Sequence, residues 1–188
     1  MNQVISKLSL VVLGAGLMVG CANAQREADK AMTTPSAESQ TAANAAGAAS
    51  VIEVNFDKGS FVLNEGSREA LREMAAKAKA NGKIDEFHVL AWADKDYPAD
   101  TKAKATTAER DLANRRASSI STFIKNELAV SDVDTYNMTE RPGTLSKLFN
   151  TDNARLKEAF EQAGVTGAAG KSITGKASRA VVMATLED

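Results

Sequence analysis

The segment from Ile84 to Trp92 constrains the fold more than any other part of the chain. Both its odd and its even positions are mainly apolar. The two sets are Phe87, Val89 and Ala91 on one side and His88, Leu90 and Trp92 on the other. Successive side chains of a β-strand point to opposite faces, so this strand has to be covered on both sides. We therefore expect it to be the central strand of a sheet.

The flanking sequence predicts that strands and helices alternate around this strand. The predicted strands are Val51–Phe56, Ile84–Trp92, Val133–Met138 and Arg179–Leu186. The predicted helices follow a cap at Asn64 and end at Gly82, run from Thr107 to Leu128, and follow a cap at Asp152 within a helical insertion at 143–175. The fold class is therefore α+β, with the order β-α-β-α-β-α-β and helices packed on a mixed sheet.

The N-terminus has the pattern of an export signal. A short basic stretch containing Lys7 precedes an apolar run from Leu8 to Met18, which is shorter than a membrane span. Small residues then lead into Cys21, and this arrangement resembles the lipobox of bacterial lipoproteins. The resemblance implies that residues 1–20 are removed and that Cys21 carries the lipid that anchors the chain. Plain secretion, with cleavage at Ala22-Asn23-Ala24, is the alternative.

Residues 21–50 are expected to form a flexible, disordered tether between the lipid and the domain at 51–188. The stretch from Ala22 to Ser50 is rich in Ala, Ser, Thr, Asn and Gln and holds no aromatic residue. It buries too little apolar surface to offset the entropy of ordering it. Pro35 and Gly47 also discourage a continuous helix there.

Composition excludes several classes of function. The single cysteine rules out an internal disulfide and a thiolate metal cluster, and the single histidine, His88, rules out a multi-histidine site. A formal net charge of −1 gives no reason to expect nucleic-acid binding. We find no Ser/His/Asp set or catalytic carboxylate pair, so we expect no enzyme, metal or cofactor. His88 is interpreted as a core histidine.

Two charged residues stand out as candidates for a site. Asp94 follows the central strand directly, and Arg116 lies on the apolar stripe of the second helix, four residues after Leu112. A guanidinium on the core-facing side of a helix requires a partner or a polar cleft. Asp94 is the natural partner. A salt bridge that only fixes the helix to the sheet is the alternative to a binding site.

The motifs around these residues resemble the OmpA-like peptidoglycan-binding domain. They are Val54-Asn55-Phe56-Asp57-Lys58, Ala91-Trp92-Ala93-Asp94, Leu112-Ala113-Asn114-Arg115-Arg116-Ala117 and the closing Ser178-Arg179-Ala180-Val181. The resemblance covers about residues 51–142 and the last strand. The family includes peptidoglycan-associated lipoproteins and the periplasmic domains of flagellar stators, and it implies an OmpA-like sandwich.

The resemblance also implies a ligand and a set of residues that bind it. In the family, the aspartate and arginine at the positions of Asp94 and Arg116 hold the diaminopimelate of the peptidoglycan stem peptide. An arginine pairs with a carboxylate and an aspartate accepts from an ammonium group, so a zwitterion satisfies both. Asn55, Trp92 and Leu112 complete the expected ligand site, although Trp92 is equally compatible with packing.

The expected function is that of an outer-membrane lipoprotein that links the membrane to peptidoglycan from the periplasmic side. Several family positions differ here: Ala91 replaces Gly, Ala113 replaces Ser and Glu109 replaces Asn. A Glu109 carboxylate facing the cleft would repel the ligand carboxylate. The alternative function is therefore an OmpA-like lipoprotein that has lost peptidoglycan binding and serves as a protein-interaction subunit of an envelope complex.

Overall fold

The computed structural model describes residues 32–95, 104–139, 152–162 and 177–187. Five strands and four helices are described in these ranges. The strands are β1 (Met32–Thr33), β2 (Ser50–Asn55), β3 (Ile84–Ala91), β4 (Val133–Asn137) and β5 (Arg179–Leu186). The helices are α1 (Ala37–Ala45), α2 (Glu65–Asn81), α3 (Thr107–Glu127) and α4 (Asp152–Gln162).

The strands form one mixed sheet in the order β1-β2-β5-β3-β4. β3 pairs in parallel with β4, and its other neighbour, β5, is antiparallel to it. β5 is also antiparallel to β2, which in turn pairs with the short β1. The last strand of the chain thus lies between the first long strand and the central one. The predicted α+β class, element order and mixed sheet are confirmed.

Both faces of the sheet are covered, as the composition of β3 predicts. On one face, Phe87, Val89 and Ala91 pack with the apolar sides of α2 and α3. On the other face, Leu90 packs with residues of α1 and α4, including Phe160. This strand has water on neither side over most of its length, which explains why its sequence lacks the usual apolar–polar alternation.

The two long helices begin and end where their sequence signals place them. The Asn64 side chain accepts a hydrogen bond from the Ser67 N–H at 2.8 Å, so it is the predicted cap of α2. Gly82 follows the last residue of this helix. α3 starts one residue after Thr106, whose side chain accepts a hydrogen bond from the Glu109 N–H. The predicted apolar stripe of α2, from Ala70 to Ala78, is buried.

The prediction of a tether that extends to Ser50 is wrong for residues 32–50. This segment pairs with β2 through β1 and then forms α1, whose Ala42 and Ala43 are buried against the domain. Pro35 and Gly47 bracket the helix rather than prevent it: Pro35 precedes the cap, and Gly47 follows the helix with φ 76°. The rest of the predicted tether and Cys21 lie outside the described residues.

A buried acid on β2 explains why the segment is ordered. Glu53 is fully buried, and its carboxylate accepts hydrogen bonds from the Ser36 N–H at 3.1 Å and the Ser39 hydroxyl at 2.8 Å. Arg179 donates to its other oxygen at 3.1 Å. A buried carboxylate needs such partners. The start of α1 supplies two of these hydrogen-bond partners. The composition of residues 32–50 does not reveal that Glu53 needs them.

The predicted insertion at 143–175 is described only between Asp152 and Gln162, where it forms α4. Leu156 and Phe160 of this helix are buried on the sheet, as their spacing predicts. The rest of the predicted insertion lies outside the described residues. Within those described, no helix has both the length and the apolar composition needed to cross a bilayer.

Candidate functional site

Asp94 and Arg116 meet at one end of the sheet. β3 ends at Ala91 and delivers Asp94 three residues later, while Arg116 lies near the middle of α3 on its buried side. The Arg116 Nη2 donates to Asp94 Oδ1 at 2.6 Å. The predicted pairing of the two side chains is therefore present in the structure.

The guanidinium of Arg116 is also bonded to the backbone around it. Nε donates to the Ser60 carbonyl at 2.8 Å, Nη1 to the Trp92 carbonyl at 2.9 Å and Nη2 to the Asp57 carbonyl at 3.2 Å. The side chain is 0% exposed. Arg116 therefore joins the β2–α2 loop and the end of β3 to α3, as the salt-bridge alternative predicts, and presents no open guanidinium edge to solvent.

Asp94 is the more exposed member of the pair. Its side chain is 20% exposed, and its Oδ2 accepts from the Gly59 N–H at 2.6 Å. The Ser178 hydroxyl donates to Oδ1 at 2.7 Å. Burial alone would raise the pKa of Asp94, but the hydrogen bonds from Arg116, Ser178 and Gly59 together lower it below its ordinary value. The carboxylate is therefore negatively charged at neutral pH.

Two residues with left-handed backbones supply these contacts. Gly59 has φ 73° and Ser178 has φ 60°, a region that a residue with a side chain rarely adopts. The Ser178 backbone is held in place on both sides, since its N–H donates to the Ala93 carbonyl and its carbonyl accepts from the Phe56 N–H. The sequence did not predict either residue as part of the site. The Asp57-Lys58-Gly59 turn was a readable signal for Gly59, and Ser178 was noted only as the first residue of the closing-strand motif.

A groove of about 440 Å³ lies at the same end of the sheet and contains the predicted site residue Asn55. It runs between the end of β2 and the start of β5 and is lined by Asn55, Phe56, Asp57, Asn64, Ala177, Ser178 and Arg179. Arg179 keeps 32% of its side chain exposed while it pairs with Glu53. We call this the Asn55 groove. It offers one cation and a carboxylate to a ligand, and Ser178 connects it to Asp94.

Leu112 lies on the other side of the β2–α2 loop. It borders a shallower groove of about 350 Å³ together with Gly59, Ala108, Asp111 and Arg115. Leu112 is partly exposed. It does not line the Asn55 groove.

The expectation that Trp92 contacts a ligand is wrong. Trp92 is 0% exposed and belongs to the core between the sheet, α1 and α4. Its ring lies 6.4 Å from that of Phe160, centroid to centroid. The even positions of β3 face this second core, so the Trp92 side chain lies on the side of the sheet away from the Arg116 side chain. Trp92 is therefore a packing residue, which was the alternative interpretation.

Glu109 does not act as an uncompensated charge. It closes a capping box at the start of α3, where its Oε2 accepts from the Thr106 N–H at 2.7 Å. Lys95 contacts its other oxygen at 2.6 Å. The hydrogen bond from Lys95, followed by those from Thr106, lowers the pKa of Glu109 to about 2. The expected repulsion of a ligand carboxylate is therefore offset by an adjacent cation.

A second group of titratable side chains lies on the opposite sheet face, near the start of β3. Glu86, His88 and Asp134 each place a ligand atom within 4.8 Å of the others. Burial, together with the nearby Asp134 carboxylate, raises the pKa of Glu86 to about 7. The interpretation of His88 as a core histidine is only partly correct, because it is half-buried beside these acids. The Glu-x-His spacing on a strand was a signal for this group.

Comparisons with known proteins give little guidance. No protein-family model and no curated protein matches the chain. Among solved structures, the periplasmic domain of Helicobacter pylori MotB overlaps with a TM-score of 0.39 at 10% identity, covering 73% of this chain and 76% of that one. A MotB-like protein from Desulfovibrio vulgaris overlaps with a TM-score of 0.38 at 11% identity, covering 73% and 75%. Overlaps at these scores do not establish a shared fold.

Proposed function

We propose that this protein is a lipoprotein of the outer membrane that binds peptidoglycan without modifying it. The leader and Cys21 support the anchor, and the motifs around Asp94 and Arg116 support an OmpA-like domain on the periplasmic side. Lipid at one end and cell wall at the other would link the two layers. Many such weak contacts across a cell act together through multivalency.

The observation that carries this proposal is the charged Asp94 carboxylate at the sheet end, next to the Asn55 groove. Asp94 is held by Arg116, Ser178 and Gly59 and remains 20% exposed. Ser178, which donates to Asp94, also lines the groove, whose volume of about 440 Å³ is room for an amino-acid head group. Exposed charge beside a groove of this size is what recognition of a small zwitterion requires.

The groups on the two sides of the groove suggest how diaminopimelate is held. Arg179, whose side chain is 32% exposed while it pairs with Glu53, is the cation for the ligand carboxylate, with Asn55 beside it in the groove. The Asp57 carboxylate lines the groove and attracts the ligand ammonium group, and the Asp94 carboxylate adds its charge from behind Ser178. The ligand end then brings little net charge into the groove, because a zwitterion carries one positive and one negative group.

Arg116 acts in this proposal as a positioning residue. Its four hydrogen bonds to protein acceptors leave the ligand carboxylate to Arg179. What Arg116 contributes is the placement of Asp94 and of the β2–α2 loop. The proposal therefore differs from the expectation that Arg116 itself binds the ligand, and it still requires the Arg116–Asp94 pair for binding.

Sedimentation with purified sacculi tests the proposal. We expect the unmodified chain to pellet with sacculi, and Asn55→Ala and Asp94→Asn to pellet at least about tenfold less at a limiting sacculus concentration, a loss of about 1.4 kcal/mol. Asp85→Asn is the matched control, because it removes an exposed acid at the start of β3, the strand that Asp94 follows. Equal pelleting of all four proteins would reject the site. Thermal unfolding of each variant separates loss of binding from loss of fold.

A protein-interaction role is the second candidate, and one surface favours it. A groove of about 470 Å³ between the β2–α2 loop, α2 and α3 is lined by Phe61, Val62, Phe123, Arg68 and Arg115 among others. Val62 is 65% exposed, unusual for a large apolar side chain among the described residues. An apolar groove with basic edges suits an acidic amphipathic segment. Crosslinking from a photoreactive residue at position 62, with no pelleting by sacculi, would favour this role.

A further inference from the structure

Strand pairing places one histidine and two carboxylates together, away from Asp94. Glu86 and His88 are two residues apart on β3, so their side chains project from the same face. The parallel register sets Asp134 of β4 directly beside His88. All three therefore project from one face of two adjacent strands, a rigid base for a binding site.

The distances suit a metal ion between these groups. One ligand atom from each residue lies within 4.8 Å of the others, and the His88 Nε2 is 3.7 Å from Glu86 Oε2. Zinc–nitrogen and zinc–oxygen bonds are about 2.0–2.2 Å long, so two of them span up to about 4.2 Å. At 3.7 Å, Nε2 and Oε2 can therefore both bind one ion that lies to the side of the line joining them, and a small side-chain adjustment brings in the third ligand.

Tyr136 orients the histidine for this role. Its hydroxyl lies 3.1 Å from Asp134 Oδ2 and 3.3 Å from His88 Nδ1. When the hydroxyl donates to the carboxylate, its oxygen accepts from Nδ1–H, and the lone pair of the ring is then on Nε2, which faces Glu86. A buried partner on the other ring nitrogen is how proteins fix a metal-ligating histidine.

The surroundings also favour a cation. The group borders a cavity of about 340 Å³ lined on the far side by Ala45 and Ala46, where α1 ends, and by Leu156 of α4. The C-terminal end of a helix carries partial negative charge, which stabilises a nearby cation. Arg155 is a cation that also lines the cavity, and its side chain is exposed to solvent.

We propose that Glu86, His88 and Asp134 form a binding site for a divalent transition-metal ion, with Zn²⁺ the ion whose preferred ligands they match. One imidazole and two carboxylates are three protein ligands, and water from the cavity supplies the fourth. The composition excluded sites built from several histidines or cysteines, and this site needs neither. The metal would tie β3 to β4 beneath α1 and α4, independently of any ligand at the Asn55 groove.

The single histidine allows a direct test by NMR. The full chain, without a histidine tag and with Cys21→Ser in every sample, gives one set of imidazole signals. We expect Zn²⁺ to shift the Nε2 resonance of His88 at stoichiometric amounts, while the Nδ1 resonance keeps its protonated character. An imidazole spectrum unchanged by a several-fold excess of Zn²⁺ would overturn the proposal.

Variants distinguish a defined metal site from a nonspecific attraction of Zn²⁺ to acidic side chains. By calorimetry, Asp134→Asn and His88→Gln should each weaken Zn²⁺ binding by more than Tyr136→Phe, for which a loss of about 10-fold to 100-fold is expected. Asp85→Asn removes a neighbouring exposed acid that acts on Glu86 only through its charge, and it should weaken binding far less than Asp134→Asn. Since Asp134 is exposed, its variant is expected to fold even if His88→Gln does not. Equal losses in Asp85→Asn and Asp134→Asn would contradict the site.

Discussion

Arg116 and Asp94 form an ion pair with 2.6 Å between Nη2 and Oδ1, and the two side chains differ in exposure. Arg116 is 0% exposed and Asp94 is 20% exposed. The arginine is therefore part of the structural framework, and the aspartate is the member of the pair that a ligand can approach. This difference in exposure distinguishes the two residues, which were expected to contact a zwitterionic ligand equally.

Removal of Arg116 should destabilise the domain strongly. Arg116→Met keeps much of the volume but leaves Asp94 without its cation and three backbone carbonyls without their donor. We expect the free energy of unfolding in urea to fall by about 3–5 kcal/mol. Arg115→Met is the control: Arg115 is exposed over the Phe61 ring, so its loss should cost about 1 kcal/mol or less. A cost as small for Arg116 would contradict its structural role.

The stability that Asp94 contributes should depend on pH in a defined direction. Its pKa is lowered in the folded state by hydrogen bonds from Arg116, Ser178 and Gly59, which outweigh burial. A group with a lowered pKa stabilises the fold above its unfolded pKa and loses that contribution as pH falls through the folded value. Urea unfolding of the unmodified chain and of Asp94→Asn should differ by a constant amount from pH 7 to about pH 5. The gap should narrow below the ordinary aspartate pKa, and a gap that widens on acidification would contradict the account.

The capping box of α3 should be measurable as a local stability. Thr106→Ala removes the side chain that accepts the Glu109 N–H and should lower the free energy of unfolding by about 0.5–2 kcal/mol. Amide exchange in the first turn of α3 should accelerate as well. Thr107→Ala, at the adjacent exposed helical position, is the matched control and should have little effect. Because Lys95 and Thr106 lower the pKa of Glu109 to about 2, the cap should persist at pH 4 and fail only near that value.

Glu53 should control whether residues 32–48 stay attached to the sheet. Glu53→Gln weakens the contacts with Ser36, Ser39 and Arg179 that hold the start of α1. Amide hydrogens of α1 should then exchange at least about tenfold faster, equivalent to about 1.4 kcal/mol, while those of α2 keep their protection. Glu73→Gln removes an exposed acid from α2 and serves as the control. Unchanged exchange in α1 would show that apolar packing alone holds the segment.

Trp92 provides an optical test of its burial. It is the single tryptophan and is fully buried, so its fluorescence should be insensitive to an added aqueous quencher. Addition of muropeptides should leave the emission unchanged, because the side chain faces α1 and α4 rather than the Asn55 groove. Strong quenching, or a shift of emission when muropeptides bind, would place Trp92 at the ligand after all.

The fold was predictable where local and periodic signals agree. Three features were readable from the sequence: the strand β3, apolar on both faces, the Asn64 cap and the end of α2 at Gly82. Each depends on only a few neighbouring residues, so its signal is local. The ordered segment at 32–50 was not readable, because its order depends on the buried Glu53 and on α4, both distant in sequence. Tertiary partners override a weak local propensity.

The candidate site was predictable in its pairing and not in its exposure. Spacing placed Arg116 on the buried side of α3 and Asp94 after β3, and the two do meet. The three backbone carbonyls that surround the guanidinium come from loops, and loop geometry leaves no periodic trace in sequence. Trp92 was misplaced for a related reason: a strand covered on both faces does not reveal which face leads to the site.

The most direct test of the account follows the backbone N–H groups of Gly59 and Ser178 during titration with a stem tripeptide that contains diaminopimelate. Gly59 donates to the Asp94 carboxylate, and Ser178 lines the Asn55 groove. The account predicts that both amide resonances shift, that Lys83 at the other end of the sheet does not, and that Asp94→Asn abolishes the shifts. Unperturbed Gly59 and Ser178 resonances at saturating tripeptide would contradict it.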